Sequence, residues 1–318
     1  MTMQMINAAE MAGEDRLRQV MATLSEVFQD LRSGKEQSPP RTLLNHGRSE
    51  MLISPASWMK RGVASVKITT LTPGNAEHGL PLIHGVVVLT DVDSGQMLAL
   101  LDGASLTAVR TGAVAGLATQ LCANANAGDL AILGAGVQAR AVLLAMLAVR
   151  PIRRVRIFSR TPTRTEEFAR WARSVTQARV TLCNSAFEAV QGAEIICTTT
   201  STSACEPLIE AAWIAPGAHL NIIGGTHEEA IEVEPSLLKT AFVVVETAAA
   251  AQEDAGEVRT ALTQGYIQPE DLNELGAVIL GEVAAREGQT TLFRSVGLAI
   301  EDTAAAIALY PSREKRSC

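Results

Sequence analysis

The chain has 318 residues, which at the usual ~150 residues per domain is enough for about two domains. Hydrophobic residues make up 47% and charged residues 19%, so packed cores are expected and wholesale disorder is not. A net charge of -7 argues against a nucleic-acid backbone as the main partner. Five scattered cysteines with no Cys-x-x-Cys pair argue against a disulfide scaffold or a zinc ribbon.

Aromatic residues amount to 3%, which leaves Ala, Val, Leu and Ile to fill the cores. The longest clean apolar run, Ala141–Val149, is far short of the ~20 residues that span a bilayer. No basic segment followed by an apolar one opens the chain, so no secretory signal is expected. The expectation is a cytoplasmic protein with free thiols, no membrane span, no nucleic-acid partner and no metal site. His46, His78 and His84 have no ligand spacing and read as structural.

In chain order, Leu17, Val20, Met21, Leu24, Val27, Phe28 and Leu31 recur at spacings of three and four, which predicts a helix over Arg16–Leu31. Pro39-Pro40 then forces extended chain. Met51–Ile53 and Gly62–Thr70 read as strands. His84–Thr90 and Gln96–Leu101 flank Asp93-Ser94-Gly95, a hairpin signal, so a meander is expected in the first hundred residues. Ala104–Ala123 reads as a long Ala-rich helix.

Beyond it the pattern alternates. Strands are expected at Leu130–Leu133, Arg154–Phe158, Val180–Leu182, Glu194–Thr198, His219–Ile223 and Ala241–Val245, with helices at Gln138–Ala148 and Arg164–Val175. Such alternation implies βαβ crossovers and a parallel sheet. Gly297–Tyr310 reads as a closing helix. The fold class is therefore α/β: a Rossmann-like, doubly wound parallel-sheet domain over residues 123–296. A smaller α+β domain is formed by residues 1–122 with 297–318. Glu228, Glu229, Glu232 and Glu234 form an acidic run that reads as a solvated loop face.

Between an expected strand and an expected helix lies Gly134-Ala135-Gly136-Val137-Gln138-Ala139, a GxGxxA match. The first glycine permits the tight turn, the second lets backbone approach a pyrophosphate, and the small Ala139 allows close helix–sheet packing. The free N–H groups at the helix start suit the diphosphate. Asp or Glu at the end of the next strand would hold an NAD ribose. The segment here is Phe158-Ser159-Arg160-Thr161, with Arg164 following. A hydroxyl and two guanidinium groups without a carboxylate predict a preference for NADPH, with NADH as a possible second cofactor.

Taken singly, Arg41, Lys67 and Arg110 read as surface charges, and periodicity alone does not bring them together. The chain nevertheless resembles the ornithine cyclodeaminase/mu-crystallin family over nearly its whole length. The stretches that carry the resemblance include Val66-Lys67-Ile68, Leu106-Thr107-Ala108-Val109-Arg110-Thr111-Gly112-Ala113, Gly134 to Arg140, Pro216-Gly217-Ala218-His219-Leu220-Asn221, Gly256-Glu257 and Gly297-Leu298-Ala299-Ile300-Glu301-Asp302. It implies that Arg41, Lys67 and Arg110 converge on a substrate carboxylate near the nicotinamide. It implies nucleotide contacts from Thr111, Thr198, Thr199, Thr200, Gly224, Ser295 and Gly297. A homodimer built through the first domain is likewise implied.

One position departs from the family's cyclodeaminases. They carry an Asp after the strand that begins His-x-Asn, and this chain has Thr226 there. A threonine is no base at neutral pH and cannot neutralise an ammonium, so ammonia elimination is poorly served. The resemblance then implies reduction of a cyclic ketimine carboxylate, Δ1-pyrroline-2-carboxylate or Δ1-piperideine-2-carboxylate, to L-proline or L-pipecolate. Lys67 and Thr226 are the expected catalytic groups, with His227 and water as competing proton donors. The alternatives are ornithine cyclodeamination with bound NAD, reductive amination of pyruvate, and NADPH-dependent binding without catalysis.

Overall fold

The computed structural model describes residues 3–34, 36–201, 204–225 and 229–311. It divides into two compact units, one built from the chain up to Arg110 and from Leu298 onward, the other from Thr111–Gly297. The sequence places the first boundary after Cys122. The division falls instead within the long helix, after Arg110, whose ion partners belong to the first unit.

The first unit opens with β1 (Gln4–Ile6), α1 (Ala8–Met11) and α2 (Glu14–Arg32). Asn7 caps α1 by accepting from the amides of Ala9 and Glu10, and Glu10 returns a bond to Asn7. The apolar stripe of α2, including Leu17, Val20, Leu24 and Phe28, is buried as its spacing predicts. Strands β2 (Thr42–His46), β3 (Ser49–Trp58), β4 (Val63–Leu71), β5 (Ile83–Asp91) and β6 (Met97–Asp102) form an antiparallel meander. β1 adds to β6 in parallel, giving the order β1-β6-β5-β4-β3-β2. At the expected hairpin, the Asp91 carboxylate accepts from the Ser94 amide and hydroxyl. Helix α3 (Gly103–Cys122) follows.

The second unit is an eight-stranded parallel sheet. Its elements are β7 (Asp129–Leu133), α4 (Val137–Val149), β8 (Arg154–Phe158), α5 (Pro162–Val175), β9 (Arg179–Leu182), α6 (Ala186–Val190), β10 (Ile195–Thr198), β11 (His219–Ile222), β12 (Phe242–Val245), α7 (Ala248–Asp254), α8 (Gly256–Thr263), β13 (Asn273–Glu274), α9 (Leu275–Ile279) and β14 (Thr291–Arg294). The order is β13-β12-β14-β11-β10-β7-β8-β9. From β7 the chain builds β8 and β9 on one side, then returns to β10 on the other. That reversal marks the switch point where open α/β sheets bind ligands. The core around it is Ala, Val, Leu and Ile, as composition requires.

The chain returns to the first unit as α10 (Ala299–Leu309), which packs on α2, β3 and β4. Glu301, Asp302 and Thr303 are consecutive and all buried. They meet the polar side of β4, on which Ser65, Lys67 and Thr69 are buried while Val66 and Ile68 on the other side are only half-buried. Ser65 and Thr303 share a hydroxyl–hydroxyl bond of 2.8 Å. Among the described residues, no helix is long and apolar enough to cross a membrane.

Candidate active site

In the second unit the glycine motif forms the turn between β7 and α4. Gly134 has φ +117°, and a Cβ there would lie 2.4 Å from the Thr199 Oγ1 and 2.8 Å from its carbonyl oxygen. Its amide donates to the Phe158 carbonyl at 2.8 Å, tying the turn to the end of β8. Gly136 is exposed with nothing within 4 Å of its would-be Cβ, and it caps α4 without a side-chain bond. Val137 is exposed, Ala139 is fully buried against the sheet, and the Gln138 Oε1 is buried without a partner. A close backbone approach and free helix N–H groups fit a dinucleotide diphosphate. At the end of β8, Ser159 accepts the Thr161 amide at 3.5 Å, while Arg160 and Arg164 are exposed at the start of α5. Thr111 is buried in α3.

The loop after β10 is held from below. Thr198 and Thr200 turn their hydroxyls to Glu232, at 2.5 Å each, and the Thr200 amide reaches it at 3.2 Å. Glu232 is fully buried, contrary to the reading of residues 228–234 as a solvated face; in the same run Glu229 is exposed and Glu234 half-buried. Burial raises the Glu232 pKa, and its threonine partners and Arg294 pull it down. Arg294, also buried, donates to the carbonyls of Gly224, Gly225 and Ser295 at 2.9, 2.7 and 2.8 Å, and its Nε lies 2.9 Å from Glu257. Glu246 accepts from the Ser295 hydroxyl and the Val296 and Gly297 amides. Buried charged groups thus hold three loops at the carboxyl ends of β10, β11 and β14.

In the first unit Lys67 and Arg110 come together. Both are about nine-tenths buried, at 8% exposure each. The Lys67 Nζ is 2.7 Å from the Asp302 Oδ2 and 3.5 Å from the Thr107 hydroxyl. Arg110 contacts Glu301 at 3.0 Å and, through Nε, Asp302 at 3.4 Å. Burial lowers the Lys67 pKa, Arg110 adds to that, and Asp302 and Glu301 oppose it. Two cations and two carboxylates sum to zero net charge. Arg41 is exposed just before β2. β2 pairs Thr42 with Ile53, and β3 pairs Ser54 with Lys67, so extending the register one residue sets Arg41 opposite Ser54. Thr226 and His227 lie outside the described residues.

The residues with no local sequence signal are Glu232, Arg294 and Asp302. Each reaches groups 32 or more residues away that no spacing rule links to it. Glu301 and Asp302 stand in the sequence only as part of a family-like stretch.

A doubly wound parallel sheet with an open glycine turn at its switch point places the second unit among the Rossmann-type dehydrogenase folds. The chain belongs to the ornithine cyclodeaminase/mu-crystallin family, whose model matches residues 1–317. It is 33% identical to a Delta(1)-pyrroline-2-carboxylate reductase of Bacillus cereus over 99% of this chain and 98% of that protein. It is 34% identical to the ketimine reductase mu-crystallin of Mus musculus over 88% of this chain and 86% of that protein. Among solved structures, Thermococcus litoralis Delta(1)-pyrroline-2-carboxylate reductase in complex with NADH and L-proline matches with a TM-score of 0.89 at 28% identity, covering 97% of this chain and 96% of that one. An archaeal alanine dehydrogenase dimer with bound NAD matches with a TM-score of 0.88 at 28% identity, over 98% and 95%.

Proposed function

We propose that this chain is an NADPH-dependent reductase of cyclic ketimine carboxylates, forming L-proline from Δ1-pyrroline-2-carboxylate and L-pipecolate from Δ1-piperideine-2-carboxylate. In reaction class it is a pyridine-nucleotide oxidoreductase acting on C=N, as its full-length relatives are named. The observation that carries the substrate class is the buried Lys67–Arg110 pair. A fixed ammonium and guanidinium bind a small carboxylate with direction. Asp302 and Glu301 hold these two cations in place, and Arg41 is the third cation of the proposed carboxylate site.

When bound, the nicotinamide supplies the hydride equivalent that reduces the imine carbon. Gly134, Gly136, Val137, Gln138 and Ala139 hold the diphosphate, with Thr111, Thr199, Gly224, Ser295 and Gly297 contributing further contacts. The hydroxyls of Thr198 and Thr200 serve Glu232, so these two act through backbone. Ser159, Arg160 and Arg164 form the 2′-phosphate site, which supports NADPH over NADH. Thr226, His227 or water gives the imine nitrogen its proton; Thr226 cannot act as the base that ammonia elimination needs.

The second copy in a homodimer covers the outer face of the first unit's sheet. Met5, Leu100, Val88 and Val66 form one apolar row there, beside Val86 and Ile68. Met5 is 75% exposed and Val86 38%. Apolar rows of this kind mark interaction surfaces.

The test is NADPH oxidation with each imino acid, repeated with NADH, beside ammonia release from ornithine. NADPH consumption matched by L-proline or L-pipecolate supports the reading. Ammonia release without NADPH oxidation contradicts it, as does nucleotide binding without turnover of either imino acid.

A further inference from the structure

Glu232 stands out among the buried titratable groups because its chemistry is spent on the loop beside the glycine turn. Its backbone is fixed first. The Glu232 carbonyl accepts the Leu208 and Ile209 amides at 3.1 and 3.0 Å, and the Ile231 amide donates to the Ala204 carbonyl at 3.0 Å. Ile209 and Val233 form a parallel bridge. The side chain therefore projects from an anchored segment.

Both carboxylate oxygens are used. Oε2 accepts the Thr198 hydroxyl, and Oε1 accepts the Thr200 amide and hydroxyl. The Thr200 amide can only donate, and both threonine hydroxyls can donate to the same carboxyl group. Thr199, between the two gripped residues, donates its amide to the Leu133 carbonyl at 2.8 Å and sets its Oγ1 against Gly134. The same carboxylate lies directly behind Gly224, where a Cβ would fall 2.4 Å from Oε1 and 2.3 Å from the Thr200 carbonyl. The Gly224 carbonyl accepts from Arg294 at 2.9 Å.

We infer that Glu232 is the positioning residue for the dinucleotide site: it clamps Thr198 and Thr200 so that Thr199 seats the Gly134 turn and Gly224 closes against the same loop. The inference rests on the nucleotide reading above and names a residue that touches neither cofactor nor substrate. It places the control of nucleotide affinity on the far side of the loop, in a residue of an otherwise ordinary acidic run.

The experiment is titration of the full-length protein with NADPH and NADH, read by nucleotide fluorescence, for wild type, Glu232→Gln and Glu234→Gln. Glu234 carries the same charge change in the same run and bonds the Ala211 amide and the Ser236 hydroxyl. Glu232→Gln is expected to weaken nucleotide binding by about tenfold or more, equivalent to about 1.4 kcal/mol. The KM for the imino acid should stay near wild type, and Glu234→Gln should leave both nucleotide affinity and that KM at wild-type values. Thr200→Val covers the case in which Glu232→Gln fails to fold. It should weaken nucleotide binding alone, and should add nothing in the Glu232→Gln background.

Unchanged nucleotide affinity in Glu232→Gln, with wild type binding normally, overturns the inference and leaves the functional reading intact. A parallel rise in the imino-acid KM overturns it too, because that is a general structural role. Wild type that binds neither nucleotide overturns the functional reading itself.

Discussion

Asp302→Asn tests the electrostatics of the carboxylate site most sharply. Asp302 is buried and shared by two cations, Lys67 at 2.7 Å and Arg110 at 3.4 Å. Removing its charge changes the cluster from neutral to a net +1. A unit charge pair at ~4 Å and an effective dielectric of ~20 is worth about 4 kcal/mol. Breaking a buried pair by deleting one partner costs about 3–5 kcal/mol. The variant has one escape, which is to release the Lys67 proton. Burial already holds the Lys67 pKa below its ordinary 10.5, and Asp302 is the largest force opposing that. Without Asp302 the folded-state pKa falls further. Between that folded value and 10.5, the unfolded chain keeps a proton that the folded chain has lost, so stability climbs with pH. The variant enters this window at lower pH than wild type. Its stability deficit is therefore greatest at the acid end, above the carboxylate range, and narrows as pH rises. Because a neutral amine does not anchor a carboxylate, the alkaline limb of kcat/KM also moves to lower pH. The assay is thermal denaturation and kcat/KM across pH for wild type, Asp302→Asn and Glu301→Gln. Glu301 pairs with Arg110, which stays charged throughout, so Glu301→Gln moves the limb far less. A deficit constant with pH, together with an unmoved alkaline limb, would refute this reasoning.

Three further outcomes follow from the geometry. Arg160→Ala should raise the KM for NADPH by about tenfold, the low end for a charged hydrogen bond because Arg160 is exposed, and leave that for NADH unchanged; equal effects on both cofactors would remove the 2′-phosphate assignment. Gly134→Ala should lower the melting temperature and weaken both nucleotides, since φ +117° strains an L residue by about 1–3 kcal/mol and the Cβ meets the Thr199 Oγ1 at 2.4 Å; equilibrium unfolding and fluorescence titration check both effects. Val66→Glu, on the half-buried outer side of β4, should convert a dimer to monomer in sedimentation experiments without lowering nucleotide affinity.

Much of this arrangement is legible in the sequence, for reasons that differ by element. The α2 stripe and the β7–α4–β8 alternation are local patterns, and local patterns survive folding. The Asp93-Ser94-Gly95 turn is legible because Gly95 takes a positive φ and Asp91 bonds Ser94. The meander is legible through β3 to β6, but β2 is fully exposed and β1 joins from before α2, so neither carries an alternating signature. β14 escapes notice because a four-residue strand ending in a buried arginine has no apolar run. The alternation around Lys67 misleads in an instructive way. Apolar neighbours suggest that the lysine faces water, yet it is the lysine that is buried. The inner surface is polar at that point because α10, more than 200 residues later, places Asp302 and Thr303 there. Glu232 is hidden for the same reason, since its partners Thr198 and Thr200 sit 34 and 32 residues upstream. Arg41 is exposed just before β2, and no local pattern in the sequence ties it to Lys67.

The central claim is that Lys67 and Arg110 select a substrate by its carboxylate, and the most direct measurement compares Lys67→Met with wild type on two imines that differ only in that group. With Δ1-pyrroline-2-carboxylate, kcat/KM should fall by about a hundredfold or more, in keeping with about 3 kcal/mol for a charge-assisted contact. With 2-methyl-1-pyrroline, which has a methyl in place of the carboxylate, the variant and wild type should be equally slow. Equal losses on both imines, or no loss on the carboxylated one, would contradict the account.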